Sequence, residues 1–342
     1  MDINKFLPAV KKNVLLKNHT AFKIGGPARY FFEAKNKNDL LLALKTAKRF
    51  NLPFFILGGG SNLLVSDKGY KGLVIKILNN KYKILDGKIS TETGAALSRL
   101  VNASANLGLS GLEWASGIPG TVGGAVLGNA GSFGKSMKDT VKKVEVIDLK
   151  TLKFKTYNLK DCKFSYRESV FKRKKNLIIA SVILKLKKGK KLEIKKKMAE
   201  CIAFKKQSQP LNYPSAGSVF KNPSRKYVAR QGEEDESSSS TIAAAWQGEE
   251  DESSSSTIAA AWQGEEDESS SSTIAAARLI EDCGLKGKTI GRAKISEKHA
   301  NFIVNLGGAS AGNVKKLINL AKKSVKKKFS VSLREEIQLL GF

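Results

Sequence analysis

Three side chains, far apart in the chain, carry more chemistry than packing requires. Arg167 lies in the short segment Phe164-Ser-Tyr-Arg-Glu-Ser169. A guanidinium there is a permanent cation, able either to stabilise a developing oxyanion or to form an ordinary surface salt bridge. Ser218 lies in Tyr213-Pro-Ser-Ala-Gly-Ser-Val-Phe-Lys-Asn-Pro223. Small residues precede it, so its hydroxyl could be exposed and act as a proton donor. Glu336 enters an apolar strand in Leu333-Arg-Glu-Glu-Ile-Gln-Leu-Leu-Gly341. It is either a carboxylate with a task or a solvated edge residue. No Ser-His-Asp set accompanies Ser218, which argues against a hydrolytic nucleophile. His299, one of two histidines, stands without a catalytic partner and reads as structural. Cys162, Cys201 and Cys283 are widely separated, with neither metal spacing nor a disulfide framework, so no metal is expected.

Two glycine-rich stretches precede these residues in the chain. They run Gly58 to Gly69 (GGGSNLLVSDKG) and Gly117 to Gly131 (GIPGTVGGAVLGNAG). Glycine at this density weakens helices and strands, so it implies close backbone approach to a ligand, often a phosphate. Two such loops suit a ligand held along a diphosphate, such as a dinucleotide. Neither loop follows the P-loop or the dinucleotide fingerprint. A tight turn between strands is the other reading of the first loop.

These residues must be positioned by a mixed set of elements. Periodicity predicts a helix over Asn38 to Phe50, then a strand over 52–57. Leu97, Leu100, Val101 and Ala105 mark a helical face with Gly108 as its stop. Val144 to Leu149 and Leu177 to Leu186 read as strands. Val314, Leu317, Ile318, Ala321 and Val325 form a late helical stripe, and Ile337 to Leu340 a final strand.

The chain has 342 residues and a net charge of +29. Its lysines are spread along the whole length and arginine is scarce, so a solvated basic surface is expected rather than a nucleic-acid interface. Such a surface still attracts anionic substrates. No apolar run approaches a membrane span, and the N-terminus lacks a secretory pattern. A cytoplasmic protein follows as the expectation.

Residues 231–277 are foreign to the rest. QGEEDESSSSTIAAAW occupies 231–246 and recurs at 247–262 and 263–278, the last copy ending in Arg278. The segment to residue 277 holds twelve acidic residues and no Lys or Arg. It is expected to be a mostly disordered surface insert, because its Ser/Glu-rich stretches cannot build a core. A loop grown from about four to about fifty residues costs only about 2 kcal/mol in closure entropy, so the host fold can tolerate it.

Taken in order, the motifs resemble the UDP-N-acetylenolpyruvoylglucosamine reductase (UDP-N-acetylmuramate dehydrogenase) family of bacterial peptidoglycan synthesis, in its shorter subtype. The resemblance rests on Asn18-His-Thr-Ala-Phe-Lys-Ile-Gly-Gly-Pro27, both glycine loops, Ser165-Tyr-Arg167, Gly217-Ser-Val-Phe-Lys-Asn-Pro223, Arg278 to Gly287, Ser296 to Asn305 and the strand holding Glu336. It implies an α+β protein, with a two-part FAD-binding module of the vanillyl-alcohol oxidase type and a C-terminal α+β substrate-binding domain. The implied division is 1–75 and 76–192 for the FAD module and 193–342 for the substrate domain, interrupted by the 231–277 insert. FAD would be held by Gly58, Gly59, Gly60, Ser61, Asn62, Leu63, Gly117, Ile118, Pro119, Gly120, Thr121, Gly123 and Gly124. NADPH would reduce the flavin, and UDP-N-acetylglucosamine enolpyruvate would then be reduced. Arg167, Ser218 and Glu336 would be catalytic, and Lys221 and Asn222 would contact substrate. A monomer with no nucleic-acid partner is expected. The glycine loops alone also allow another FAD oxidoreductase of this architecture, and the insert allows an intact but inactivated reductase.

Overall fold

The computed structural model describes residues 3–224 and 274–342. The N-terminal sheet orders its strands Lys11–Leu15, Pro27–Ala34, Tyr70–Ile77 and Phe54–Leu57, the first pair antiparallel and the rest parallel. The helix Lys37–Arg49 makes the parallel crossover. Asn36 caps it, accepting the Asp39 N–H at 2.9 Å, worth about 1 kcal/mol. Its face Leu40, Ala43, Leu44 and Ala47 is fully buried against the sheet. The helix and strand predicted here lie within two residues of their observed bounds.

A second sheet is wholly antiparallel, in the order Lys153–Asn158, Val141–Asp148, Leu177–Lys185, Lys88–Glu92 and Tyr82–Leu85. The helices Leu97–Asn106 and Val122–Leu127 share its core, which includes Trp114. The long helix Lys191–Ser208 buries a sparse stripe of Ile194, Cys201 and Lys205. A third, smaller sheet orders Ser215–Ser218, Phe302–Asn305, Ala293–Ile295 and Thr289–Ile290. The helix Ala311–Phe329 packs on it through the predicted stripe, with Val314, Leu317, Ile318, Ala321 and Val325 all buried.

The chain end ties the third part to the first. Gln338–Leu340 pairs in parallel with Leu63–Val65, within the first glycine stretch and directly after its Gly58 to Asn62 turn. This pairing holds Glu336, two residues earlier, against that loop.

The expected disordered insert lies outside the described residues except for its last four, and those correct the expected boundary. Ile274 is 5% exposed and Ala276 is fully buried. The Ile274 N–H donates to Pro223 O at 2.9 Å, and the Ala276 N–H donates to Asn222 Oδ1 at 3.1 Å. The helix Ala276–Asp282 thus begins inside the third repeat copy. The Ile-Ala-Ala-Ala tail is apolar, so it can pack where the acidic stretch before it has nothing to bury.

Candidate active site

The two glycine loops face each other. A Cβ on Gly59 would lie 2.7 Å from Gly120 Cα, and one on Gly120 would lie 2.7 Å from Ser61 Oγ. The backbone contact excludes a side chain at Gly59, and at Gly120 it is the left-handed φ of +114° that disfavours one, since Ser61 Oγ could swing aside. Thr121 caps the helix Val122–Leu127, its hydroxyl accepting the Gly124 N–H at 3.4 Å. On the other side Lys76 Nζ donates to Gly58 O at 2.5 Å and fixes that loop to the first sheet.

The loops form one wall of a cleft of about 320 Å³, within the usual range of ligand sites. Gly58 to Leu63, Gly117 to Thr121 and Gly124 all line it. Gly123 does not. Its N–H donates to Thr93 O at 2.9 Å, and a Cβ there would lie 2.7 Å from Thr93 Cβ. The bare backbone of Gly123 therefore serves helix-to-strand packing. A second cleft of about 460 Å³, beside Lys206, Tyr213 and Lys298, shares Gln209 with the first but contains none of the three catalytic candidates.

The opposite wall brings Arg167, Ser218 and Glu336 together. Arg167 sits in a tight turn closed by reciprocal bonds between Ser165 and Glu168, both 3.1 Å. Its φ is +53°, a left-handed conformation that costs a non-glycine residue energy and recurs at functional sites. Lys172 Nζ donates to Arg167 O at 2.9 Å, and Asn129 Nδ2 donates to Ser165 O at 3.0 Å. These bonds hold the turn. Arg167 Nε lies 2.8 Å from Glu336 Oε1, but its N–H is not aimed along that line. That close approach is not an aligned hydrogen bond, which leaves the guanidinium with donors to offer a ligand.

Glu336 is anchored through its backbone. Its N–H donates to Val219 O at 2.8 Å, and its carbonyl accepts from Asn62 Nδ2 at 3.2 Å. Burial pushes its carboxyl above the usual carboxylate range, against the opposing charges of Arg167, Lys172 and Lys221. Ser218 ends the strand Ser215–Ser218, whose register slips between those two residues. Gly217 takes φ +74° within the slip. In a regular strand, neighbours alternate faces. Here Ala216, Gly217 and Ser218 all line the cleft.

Lys221 and Asn222 do not line it. Lys221 Nζ is paired with Glu168 Oε1 at 2.7 Å. Burial pushes the Glu168 carboxyl up, but the Lys221 hydrogen bond and the Lys172 and Lys221 charges outweigh it and hold it low. The Asn222 side chain receives the Ala276 N–H, and the Asn222 backbone N–H donates to Tyr166 Oη at 3.3 Å. Both residues fasten the Tyr166-Arg167-Glu168 turn to the substrate-side strand. His299 is half-buried against Phe302, and its Nδ1 accepts the Asn301 N–H at 3.3 Å, a structural use.

Sequence reading missed Lys172, Lys205 and Gln209, which also line the cleft. Lys172 was hidden in the basic run Lys172 to Lys175. Lys205 carried a usable signal, as it continues the helical stripe Ile194, Met198, Cys201. Reading also passed over one Gly-x-Ser-x-Gly match, Gly308 to Gly312. Its Ser310 hydroxyl accepts the Asn313 N–H at 3.0 Å as a helix cap, so the match has no nucleophile geometry.

Comparison with known proteins agrees with this arrangement. Residues 28–151 match an FAD-binding domain family, and residues 209–340 match the C-terminal domain family of UDP-N-acetylenolpyruvoylglucosamine reductase. The reductase of Caldanaerobacter subterraneus is 40% identical over 96% of this chain and 93% of its own. That of Anoxybacillus flavithermus is 38% identical over 97% and 94%. The crystal structure of the Thermus caldophilus reductase superposes with a TM-score of 0.71 at 33% identity, covering 97% of this chain and 98% of that one. The chain belongs to the UDP-N-acetylenolpyruvoylglucosamine reductase family.

Proposed function

We propose that this chain reduces UDP-N-acetylglucosamine enolpyruvate to UDP-N-acetylmuramate with NADPH as reductant, through FAD, in peptidoglycan synthesis. The observation that carries the reading is convergence. Arg167, Ser218 and Glu336, from three distant segments, meet in the cleft whose other wall is the paired glycine loops. Those loops fit FAD: they line the cleft with bare backbone, a Cβ on Gly58, Gly59 or Gly60 would meet neighbouring protein atoms within 3 Å, and exposed backbone N–H groups suit a diphosphate.

FAD, when bound, supplies the hydride that the terminal vinyl carbon of the substrate accepts. The vinyl electron pair then moves toward the attached carboxylate, and negative charge develops on its oxygens. Arg167 is suited to stabilise that charge because it cannot lose its proton. Glu336, with its carboxyl held toward the neutral form, can donate a hydrogen bond to the same oxygens. Ser218 gives its proton to the carbon adjacent to the carboxylate, which completes the addition across the double bond. A hydroxyl is a weak acid, so this role depends on close placement beside a strongly basic carbon. Lys221 would reach the anionic end of the substrate only by leaving its pairing with Glu168. Residues 1–75 and 76–192 are read as the cofactor part and 193–342 as the substrate part, save that the helix Lys191–Ser208 crosses the second boundary and packs beside Ser116 with the cofactor part.

The reading is tested by adding NADPH and then UDP-N-acetylglucosamine enolpyruvate anaerobically to the purified yellow protein. Flavin bands that bleach and then return support it. Bands that return only with oxygen would replace it with another FAD oxidoreductase or an inactivated reductase.

A further inference from the structure

Lys205 is a buried cation without a counter-ion. It lies on the helix Lys191–Ser208 and is 5% exposed. Its Nζ donates to Ser116 O at 2.6 Å, which accounts for one of three N–H groups. The ammonium also lies 5.4 Å from the centroid of the Phe133 ring. No carboxylate pairs with it among the described residues. Glu113, in the turn packed on the same helix, accepts the Gly111 N–H instead, at 2.8 Å. Burial pulls the Lys205 ammonium down to about 8. An unpaired buried charge is costly, and a fold retains one where a ligand completes it. Lys205 lines the same cleft as the glycine loops. Its Cδ would be 3.2 Å from a Cβ on Gly117, the first residue of the second loop.

We infer that Lys205 is a cofactor-binding cation, pairing with the diphosphate of FAD and holding the Ser116–Gly117 backbone against it. The inference rests on the FAD reading of the cleft. It explains why a lysine ends an otherwise apolar stripe, and why the Ser116 carbonyl, rather than a carboxylate, holds the ammonium before the ligand arrives.

The test uses apoprotein titrated with FAD and with riboflavin, which has the same ring system and no phosphate, followed by flavin fluorescence. Lys205→Met should weaken FAD binding at least tenfold and leave riboflavin binding unchanged, while Lys205→Arg should retain most of the FAD affinity. The unmutated protein gives a second arm free of any folding question. Its FAD affinity should fall as pH rises above about 8, since the neutral amine cannot pair with phosphate. Other titratable groups face the site. Cys201 lies one turn earlier on the same helix with its thiol pushed up to about 11, Glu113 lies behind it, and Arg167, Lys172 and Glu336 lie across the cleft. The pH dependence must therefore be present in the native protein and absent in Lys205→Met. Equal FAD affinity in native protein and Lys205→Met, or equal loss for FAD and riboflavin, would overturn the inference. Failure of the native protein to bind FAD at all would instead overturn the FAD reading beneath it.

Discussion

The two walls of the cleft are built from opposite materials. The cofactor wall is contiguous backbone, with Gly58 to Leu63 against Gly117 to Thr121, and it works through what its residues lack. The catalytic wall is side-chain chemistry, a guanidinium, a hydroxyl and a carboxyl gathered from residues 167, 218 and 336 and held by long-range bonds such as Asn62 to Glu336 and Lys221 to Glu168. The first wall fails when bulk is added. The second fails when a functional group is removed. On this account the two failures are separable: one loses the flavin, the other keeps it and loses the substrate chemistry.

The largest effect is expected from the backbone wall. Gly59→Val would drive a side chain into the Gly120–Thr121 backbone, which cannot swing aside as a flexible side chain can. The purified variant should carry essentially no flavin, read as the ratio of visible to ultraviolet absorbance. A variant that stays yellow would show that the loops do not face the cofactor.

Arg167→Met tests the other wall. Loss of one charge-stabilising donor costs roughly 10²–10³ in turnover, and flavin content should stay normal. A variant that loses flavin in proportion to activity would merge the two walls.

A smaller effect belongs to Glu336. Because burial raises its pKa, the neutral, donating form persists above the ordinary carboxylate range. Turnover of the flavin-saturated enzyme should therefore decline as pH rises through that raised value. Glu336→Gln, which keeps a donor at every pH, should flatten this decline while retaining much of the rate. A native profile that instead rises with pH in this region would mean that the ionised carboxylate is the working form.

The smallest effect concerns the repeats. Deleting 231–262 removes two copies and keeps the docked Ile274 to Ala277 tail. Closure entropy predicts a gain of about 1 kcal/mol in stability, with flavin content and turnover within about twofold. Denaturant unfolding and steady-state rates measure both.

The difference between the walls also explains what could be read in the sequence. The glycine loops were legible because their signal is local and compositional. The helices over 37–49 and 311–329 were legible because their apolar faces repeat at the helical period. The catalytic wall was visible only as isolated odd residues. Arg167 in a short segment and Glu336 in an apolar strand each had a bland reading, and it was the family's motif order that joined them. Long-range contacts leave no local trace. Lys172 lay in a lysine run that looks like solvent-facing charge, yet it clamps the Arg167 turn. Asn222 shows the converse. The motif marked it for substrate, and the fold uses its side chain to receive the first N–H of a helix.

Ser218→Ala offers the most direct test of the central claim, with the two half-reactions measured separately under anaerobic conditions by rapid mixing. The account predicts normal flavin content, bleaching by NADPH at close to the native rate, and return of the bands with UDP-N-acetylglucosamine enolpyruvate slowed by roughly 10²–10⁴. Equal slowing of both halves, or a substrate half-reaction at the native rate, would contradict it.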